Sequence, residues 1–289
     1  MATIFKNPAL PDYFLELPEV TAARPPSRSY VPEYEAAKLL CFPNLKFKID
    51  HQFWADLPTD RYPGMKKFSC RIDEEQQRAR SWSPWARRRQ GEATRRALEK
   101  AGLPAKLCNA LWSQMSALFE QVLPIYHALF EGYTFSDKRV VFRLNTTLNE
   151  NLHFDSYRQE YPAHFARLFI NLDTQPRIWH TSYAVDELSQ RFGRTIDPAA
   201  RDTTTSNRFW RELNKAAFRK DIEEPHPRHV IYFDPGDAWA VESRRLSHQI
   251  FYGRRAVSID FVVPASAMLD PGLHYLALAE RYRAAAKAI

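Results

Sequence analysis

The chain has 289 residues, 45% of them hydrophobic, with 41 Lys and Arg against 34 Asp and Glu. That content supports a packed core in one large or two small domains, and excludes a disordered or low-complexity chain. The net charge of +7 points to an anionic partner: nucleic acid, an anionic membrane surface or a phosphorylated substrate.

Residues 1–30 hold five of the 20 prolines and read as an irregular arm. Their start, MATIFKNPALPDYF, lacks a basic stretch followed by an apolar one, so no signal peptide is expected. No apolar run reaches the roughly 20 residues that span a bilayer, so any membrane role is expected at the surface. EYEAAKLL (33–40) reads as a short helix and LKFKI (45–49) as a strand, with turns over 55–70. Residues 71–100 are arginine-rich and carry Trp82 and Trp85: either a solvated helix face or a strip facing a polyanion. Segments 104–118 and 119–131 have helical apolar spacing, with Pro124 expected to break or kink the run. Cys41, Cys70 and Cys108 are far apart and form no C-x-x-C pair. Neither a disulfide framework nor a zinc knuckle is expected, and a reducing cytosol fits.

From 139 onward the texture becomes β-rich. KRVVFRLNTT, LHFD, FARLFINL, RIWHTSYA, RHVIYFD, AWAVES, SHQIFYG and RRAVSIDFVV are short strand-like segments parted by turns. They predict an antiparallel sandwich or barrel, with a largely helical insertion at about 185–228. LHYLALAERYRAAAKAI closes the chain as a helix. The division expected is a 1–30 arm, a mostly helical 31–138 packed on the core, a β core at 139–265, and the helix at 266–289.

Within the β region, NLHFDSYRQEY places His153 and Asp155 two residues apart, which on a strand means one face. H-x-D alone is weak, since it is more often a surface strand pair. His248, in SRRLSHQIFYG, supplies a third ligand 93 residues beyond Asp155. Two histidines and a carboxylate on a β scaffold make the facial triad of non-haem Fe(II) oxygenases, leaving positions for a 2-oxo acid and O2. The far carboxylate of 2-oxoglutarate then needs a cation, and a bidentate arginine suits it. Arg167, on the strand after H-x-D, and Arg255, on the strand after His248, both qualify. Alternation groups Arg255 with Val257 and Ile259, and these apolar neighbours predict an inward face for it. The turn DPGDAW (234–239) is expected to aim the last metal-bearing strand.

The stretches LHFD, ARLFINL (166–172), PRIW (176–179), FDPGDAW (233–239) and SH (247–248) resemble the Kdo 3-hydroxylase family. Its members are Fe(II)- and 2-oxoglutarate-dependent dioxygenases that hydroxylate the 3-deoxy-manno-octulosonic acid (Kdo) sugar of the lipopolysaccharide inner core. CFPNLKF and KKFS extend the likeness toward the N-terminus. The resemblance implies an α+β fold with a double-stranded β-helix (jelly-roll, cupin-like) core of antiparallel strands buttressed by helices. It implies His153, Asp155 and His248 as iron ligands, and favours Arg167 over Arg255 as the 2-oxoglutarate anchor. Asn171 and Trp239, inside the same motifs, are placed beside the co-substrate; Arg143, Asn145, Arg177 and His180 are placed as substrate-pocket walls. The expected reaction uses Fe(II), 2-oxoglutarate and O2 to convert the Kdo of Kdo-lipid A to its 3-hydroxy form, releasing succinate and CO2. The expected location is the cytoplasmic face of the inner membrane, with the arginine strip at 78–96 docking to anionic headgroups and no nucleic acid involved. Two other readings stand beside it: a related hydroxylase of another anionic lipid or metabolite, and a non-enzymatic polyanion-binding β-sandwich with salt-dependent affinity.

Overall fold

The computed structural model describes residues 2–71, 95–96, 98–100, 102–156, 164–196, 206–218 and 226–287. Most of the arginine- and tryptophan-bearing strip, at 72–94, lies outside them. In chain order come β1 (Thr3–Phe5), β2 (Phe14–Glu16), α1 (Val31–Glu35), β3 (Leu39–Cys41), α2 (His51–Ala55) and β4 (Lys67–Arg71). A long helix α3 (Ala105–Leu129) follows, then β5 (Asp137–Leu148), β6 (His164–Asn171) and β7 (Arg177–Ala184). Helices α4 (Val185–Phe192) and α5 (Ser206–Ala217) precede β8 (His229–Phe233), β9 (Ala238–Ala240), β10 (Leu246–Val263) and α6 (Tyr275–Lys287).

β10 organises the molecule. SHQIFYG and RRAVSIDFVV, read as two segments, are one strand of 18 residues. Its first half pairs antiparallel with β7, which pairs with β8 and then β1. Its second half runs between β5 and β6, and β6 continues to β9, β3 and β2. All these pairings are antiparallel except β2 with β3, so the sheet is mixed. Strands from the N-terminal third close its edges: β1 and β2 lie within the proline-rich arm, and β4 pairs with β5.

Alternation assigns the faces. On β10, Val257, Ile259, Phe261 and Val263 join Phe142, Leu168 and Ile170 in a large core with α3. Helix α3 contributes Leu111, Met115, Leu118, Val122 and Ile125 at helical spacing. It runs through Pro124 without a break, because burial of this face outweighs the one lost backbone bond, a cost of about 3 kcal/mol. On the opposite face, Phe169 and Trp239 meet Trp179 at 5.3 Å each, locking the two sheets face to face. The inward residues of the larger sheet are therefore Arg143, Ala256, Ser258, Asp260, Arg167, Phe169 and Asn171. Those of β7 are Arg177, Trp179 and Thr181.

Two local expectations change. The helix expected over 33–40 spans Val31–Glu35, and Leu39–Cys41 is a strand. Both its neighbours are strands and all three residues are buried, so sheet pairing overrides helix propensity. LKFKI forms no strand; Leu45 and Phe47 are buried and Lys46 and Lys48 exposed, so the alternation is real without a ladder partner. The three cysteines are free and buried. Among the described residues no helix is long and apolar enough to cross a membrane.

Candidate metal centre

His153 sits in no regular strand. Its backbone makes a two-way bridge to His248, N–H to carbonyl at 2.9 Å and 2.6 Å in the two directions. The Asp155 N–H donates to the Ser243 carbonyl at 2.8 Å. The bridge fixes the two imidazoles 4.6 Å apart, centroid to centroid. One ligand atom from each of His153, Asp155 and His248 lies within 4.8 Å of the other two.

Each of the three side chains has one atom held and one left over. Nδ1 of His153 lies 2.7 Å from the Asn151 carbonyl, and Nδ1 of His248 lies 3.2 Å from the Leu246 carbonyl. A carbonyl only accepts, so both Nδ1 atoms carry the proton and both Nε2 atoms offer a lone pair. Asp155 Oδ2 accepts from the Ser243 hydroxyl at 2.7 Å and from the Arg167 guanidinium. Oδ1 is left facing His153 Nε2 at 3.8 Å. Burial alone would raise the Asp155 carboxyl; Arg167, His248, Ser243 and His153 outweigh it and hold it well below the usual carboxylate range. Burial, reinforced by His153, pushes His248 down to about 3 against the pull of Asp155. The ring of Trp179 stacks on His248 at 5.1 Å and shields it. Two neutral imidazoles and one carboxylate, without a thiolate, are a donor set suited to Fe(II).

No protein-family model and no curated protein matches the chain. Solved structures do. The Kdo hydroxylase KdoO, described as a non-heme Fe(II) alphaketoglutarate-dependent dioxygenase, superposes with succinate and Fe(III) at a TM-score of 0.61 and 14% identity. Its alphaketoglutarate–Fe(III) complex gives 0.60 at 14%, and its cobalt(II) complex 0.61 at 15%. Each match covers 93% of this chain and 95% of that one. The chain shares the KdoO fold.

The arginines divide on that fold. Arg167 is 3% exposed and lies behind Asp155. Its Nε donates to Asp260 at 3.1 Å, and its Nη1 to Asp155 and Ser243. Arg255 points to the other side of the sheet, because the apolar face of β10 is the one the helices cover. Its guanidinium donates to the carbonyls of Trp54, Ala55, Leu57, Leu144 and Asn145. It is a clamp between α2 and β5. Arg254 forms a two-pronged pair with Asp173, at 2.9 Å and 2.6 Å.

The other expected residues also separate. Asn171 is buried, and its amide donates to the carbonyls of Gln175 at 2.9 Å and Phe233 at 3.0 Å, tying two loops together. Trp239 stacks on Phe233 at 3.9 Å within the inter-sheet core. His180 lies on the outer face of β7, where it bonds Gln249 at 2.9 Å and stacks on Phe251. Arg143 and Arg177 both face inward, and Arg143 Nη1 donates to the Ser258 hydroxyl at 3.0 Å. Asn145 is half-buried one inward position beyond Arg143. The turn at DPGDAW, with Gly236 at φ +79, joins β8 to β9 and anchors on Asn171 rather than leading into β10.

Ser243, Asp260 and Thr181 belong to the site and were not singled out from sequence. The signal for Asp260 was there: Ser258 and Asp260 are polar at period two in an otherwise apolar run.

Proposed function

We propose that this protein is an Fe(II)- and 2-oxoglutarate-dependent hydroxylase of the Kdo sugar of a Kdo-lipid A acceptor, adding a 3-hydroxyl. The observation that carries it is the convergence of one ligand atom each from His153, Asp155 and His248 on a fold shared with KdoO over nearly the whole chain. The two sheets joined through β10 are read as the double-stranded β-helix of such enzymes. In support, β5, β10, β6 and β9 form one sheet and β10, β7 and β8 the other, face to face.

His153, Asp155 and His248 would hold the iron. Bound there, Fe(II) supplies activation of O2 coupled to decarboxylation of 2-oxoglutarate. The chain's own residues do the positioning. Asn151 and Leu246 fix the imidazole tautomers, while Arg167 and Ser243 occupy one carboxylate oxygen so that Asp155 presents only the other. Trp179 stacks over His248 and keeps water from its inner side. The sugar would enter over His153 and Asp155, whose side chains are 32% and 24% exposed, against 3% for Arg167. A cytoplasmic location at an anionic membrane surface, suited to a chain of net charge +7, belongs to the same proposal.

The test is anaerobic Fe(II) plus 2-oxoglutarate absorption, wild type against His153→Ala. A visible charge-transfer band lost in the variant supports the metal centre, and its absence from folded wild type rejects it. Incubation with Kdo-lipid A under air then reads the sugar: the product should gain one oxygen atom per turnover. Succinate release without that gain would keep the chemistry and reject the substrate.

A further inference from the structure

The inner face of the larger sheet does not end at β5. Strand β4 pairs with β5 in the register Lys67↔Arg143, Ser69↔Val141 and Arg71↔Arg139. Those three β4 residues therefore share the face that bears Ser258 and Asp260. Phe68 and Cys70 take the other side, where Phe68 stacks on Phe142 at 4.9 Å and Cys70 joins the core with α3. One cross-strand row thus runs Arg167, Asp260, Arg139, Arg71 over β6, β10, β5 and β4. It starts at the metal centre, since Arg167 donates to Asp155. It also climbs out of the protein: the side chains are 3%, 7%, 35% and 79% exposed in that order. Neighbouring strands lie about 4.8 Å apart, which puts the Arg71 backbone about 14 Å from that of Arg167.

The charge at the outer end of the row is unbalanced. Arg71 and Arg139 stand directly opposite each other, and like charges so placed weaken a sheet. Asp137 serves both, 3.2 Å from Arg71 Nε and 2.7 Å from Arg139 Nη2. Asp260 is already engaged by Arg167. Lys67, exposed on the same face of β4, makes no ion pair among the described residues. Three cations thus share one carboxylate, which leaves two positive charges over on an open rim. A further carboxylate would cancel only half of that surplus. A phosphate monoester carries nearly two negative charges near neutral pH and offers three oxygens, which suits the guanidinium forks. The Ser69 hydroxyl, exposed between Lys67 and Arg71, adds a donor.

We infer that Arg71, Arg139 and Lys67 form a subsite for a phosphate monoester borne by the acceptor, held on the β4–β5 rim while the reacting sugar lies over His153 and Asp155. This rests on the hydroxylase reading above and deepens it. The acceptor is recognised at a phosphate as well as at the sugar that is oxidised. The like-charged row, unfavourable in the empty sheet, becomes favourable when the phosphate lies across it.

The experiment measures oxygen gain by the sugar, with Fe(II), 2-oxoglutarate and air, on Kdo-lipid A and on the same acceptor after phosphatase treatment. Both are presented in non-ionic detergent micelles, so that no other lipid phosphate is present. Wild type should show a KM about 10-fold lower for the phosphorylated acceptor, at similar kcat. Arg71→Gln and Arg139→Gln should each raise that KM by about 3- to 10-fold and shrink the preference, a modest effect because solvent screens the rim. Lys215→Gln removes an equal charge from α5 and should keep the wild-type preference. Equal KM values for the two acceptors in wild type overturn the inference. An effect of Lys215→Gln as large as that of Arg71→Gln overturns it too, since the preference would then follow overall charge. A weakened charge-transfer band with 2-oxoglutarate in the Arg71 or Arg139 variant would assign these side chains to the metal centre and overturn it as well. No oxygen gain on either acceptor rejects the hydroxylase reading itself, and the subsite with it.

Discussion

Asp155 and Arg167 meet at a single carboxylate oxygen, and the Ser243 hydroxyl closes the triangle. The pair is asymmetric: Arg167 is buried, whereas Asp155 reaches toward the opening. Arg167 therefore acts through Asp155. It fixes which oxygen is free, and it keeps the carboxylate ionised. Arg167→Met should leave Asp260 buried with its partner removed, costing about 3 kcal/mol of stability in urea unfolding. It should also weaken Fe(II) or Co(II) binding by about 10- to 100-fold, the usual scale for losing a ligand's supporting contact. Unchanged metal affinity in the folded variant would remove Arg167 from this role.

His248 makes a pH prediction. Its folded pKa of about 3 lies below the ordinary histidine value, so the unfolded chain binds the proton first. The stabilisation is complete above about pH 6.5 and is lost progressively as pH falls toward 3. The limiting slope for one such group is about 1.4 kcal/mol per pH unit. His248→Gln should flatten the stability profile between pH 6 and 4 relative to wild type, both measured metal-free. A parallel profile in the two proteins would show that other buried histidines, such as His164, carry the acid sensitivity.

Arg255 offers a separate test of what its guanidinium does. Replacing it leaves the carbonyls of Trp54, Ala55, Leu57, Leu144 and Asn145 without their common donor. Arg255→Met should lower stability by about 3 kcal/mol, since carbonyls that shared a charged donor are left desolvated. Its 2-oxoglutarate affinity should match wild type. A selective loss of co-substrate affinity at unchanged stability would return Arg255 to the anchor role.

The grouping of His153, Asp155 and His248 was legible from H-x-D and a distant histidine taken together with the family resemblance, and the structure brings their ligand atoms within 4.8 Å of one another. The strand-rich second half was legible from period-two alternation. What the sequence concealed was which side of β10 faces the site. Arg255 keeps apolar company, and that favours an inner face in a two-sheet sandwich. Here the apolar face meets α3, and the site lies on the side bearing Ser258 and Asp260. One residue of register reverses the meaning of every polar position on a strand. His180, expected as a pocket wall, lies on the even-numbered face of β7, which points outward beside Phe251. The short strands β1, β2 and β3 were invisible because three residues carry too little pattern, and their partners lie as far as 229 positions away, as Thr3 does from Tyr232.

Asn171 completes the comparison between structural and co-substrate roles. Its side chain donates to Gln175 and Phe233 and accepts from the Asp173 N–H at 3.1 Å, the Phe233 and Asp173 bonds buried and the Gln175 bond partly so. These bonds join the β6–β7 connection to the end of β8, and Gly236 donates its N–H to the Asn171 carbonyl. The residue thus ties together the loops at the Arg177 end of β7. Asn171→Ala orphans two carbonyls and one N–H, and should cost about 2–4 kcal/mol. Asn171→Asp keeps the acceptor but loses both donors, so it should fall in the same range rather than rescue. Affinity for 2-oxoglutarate in the folded fraction should stay within about twofold of wild type, far below the 1.4 kcal/mol that a tenfold change represents. If Asn171 instead touched the co-substrate, the pattern would invert: a near-normal melting curve with a weakened charge-transfer titration.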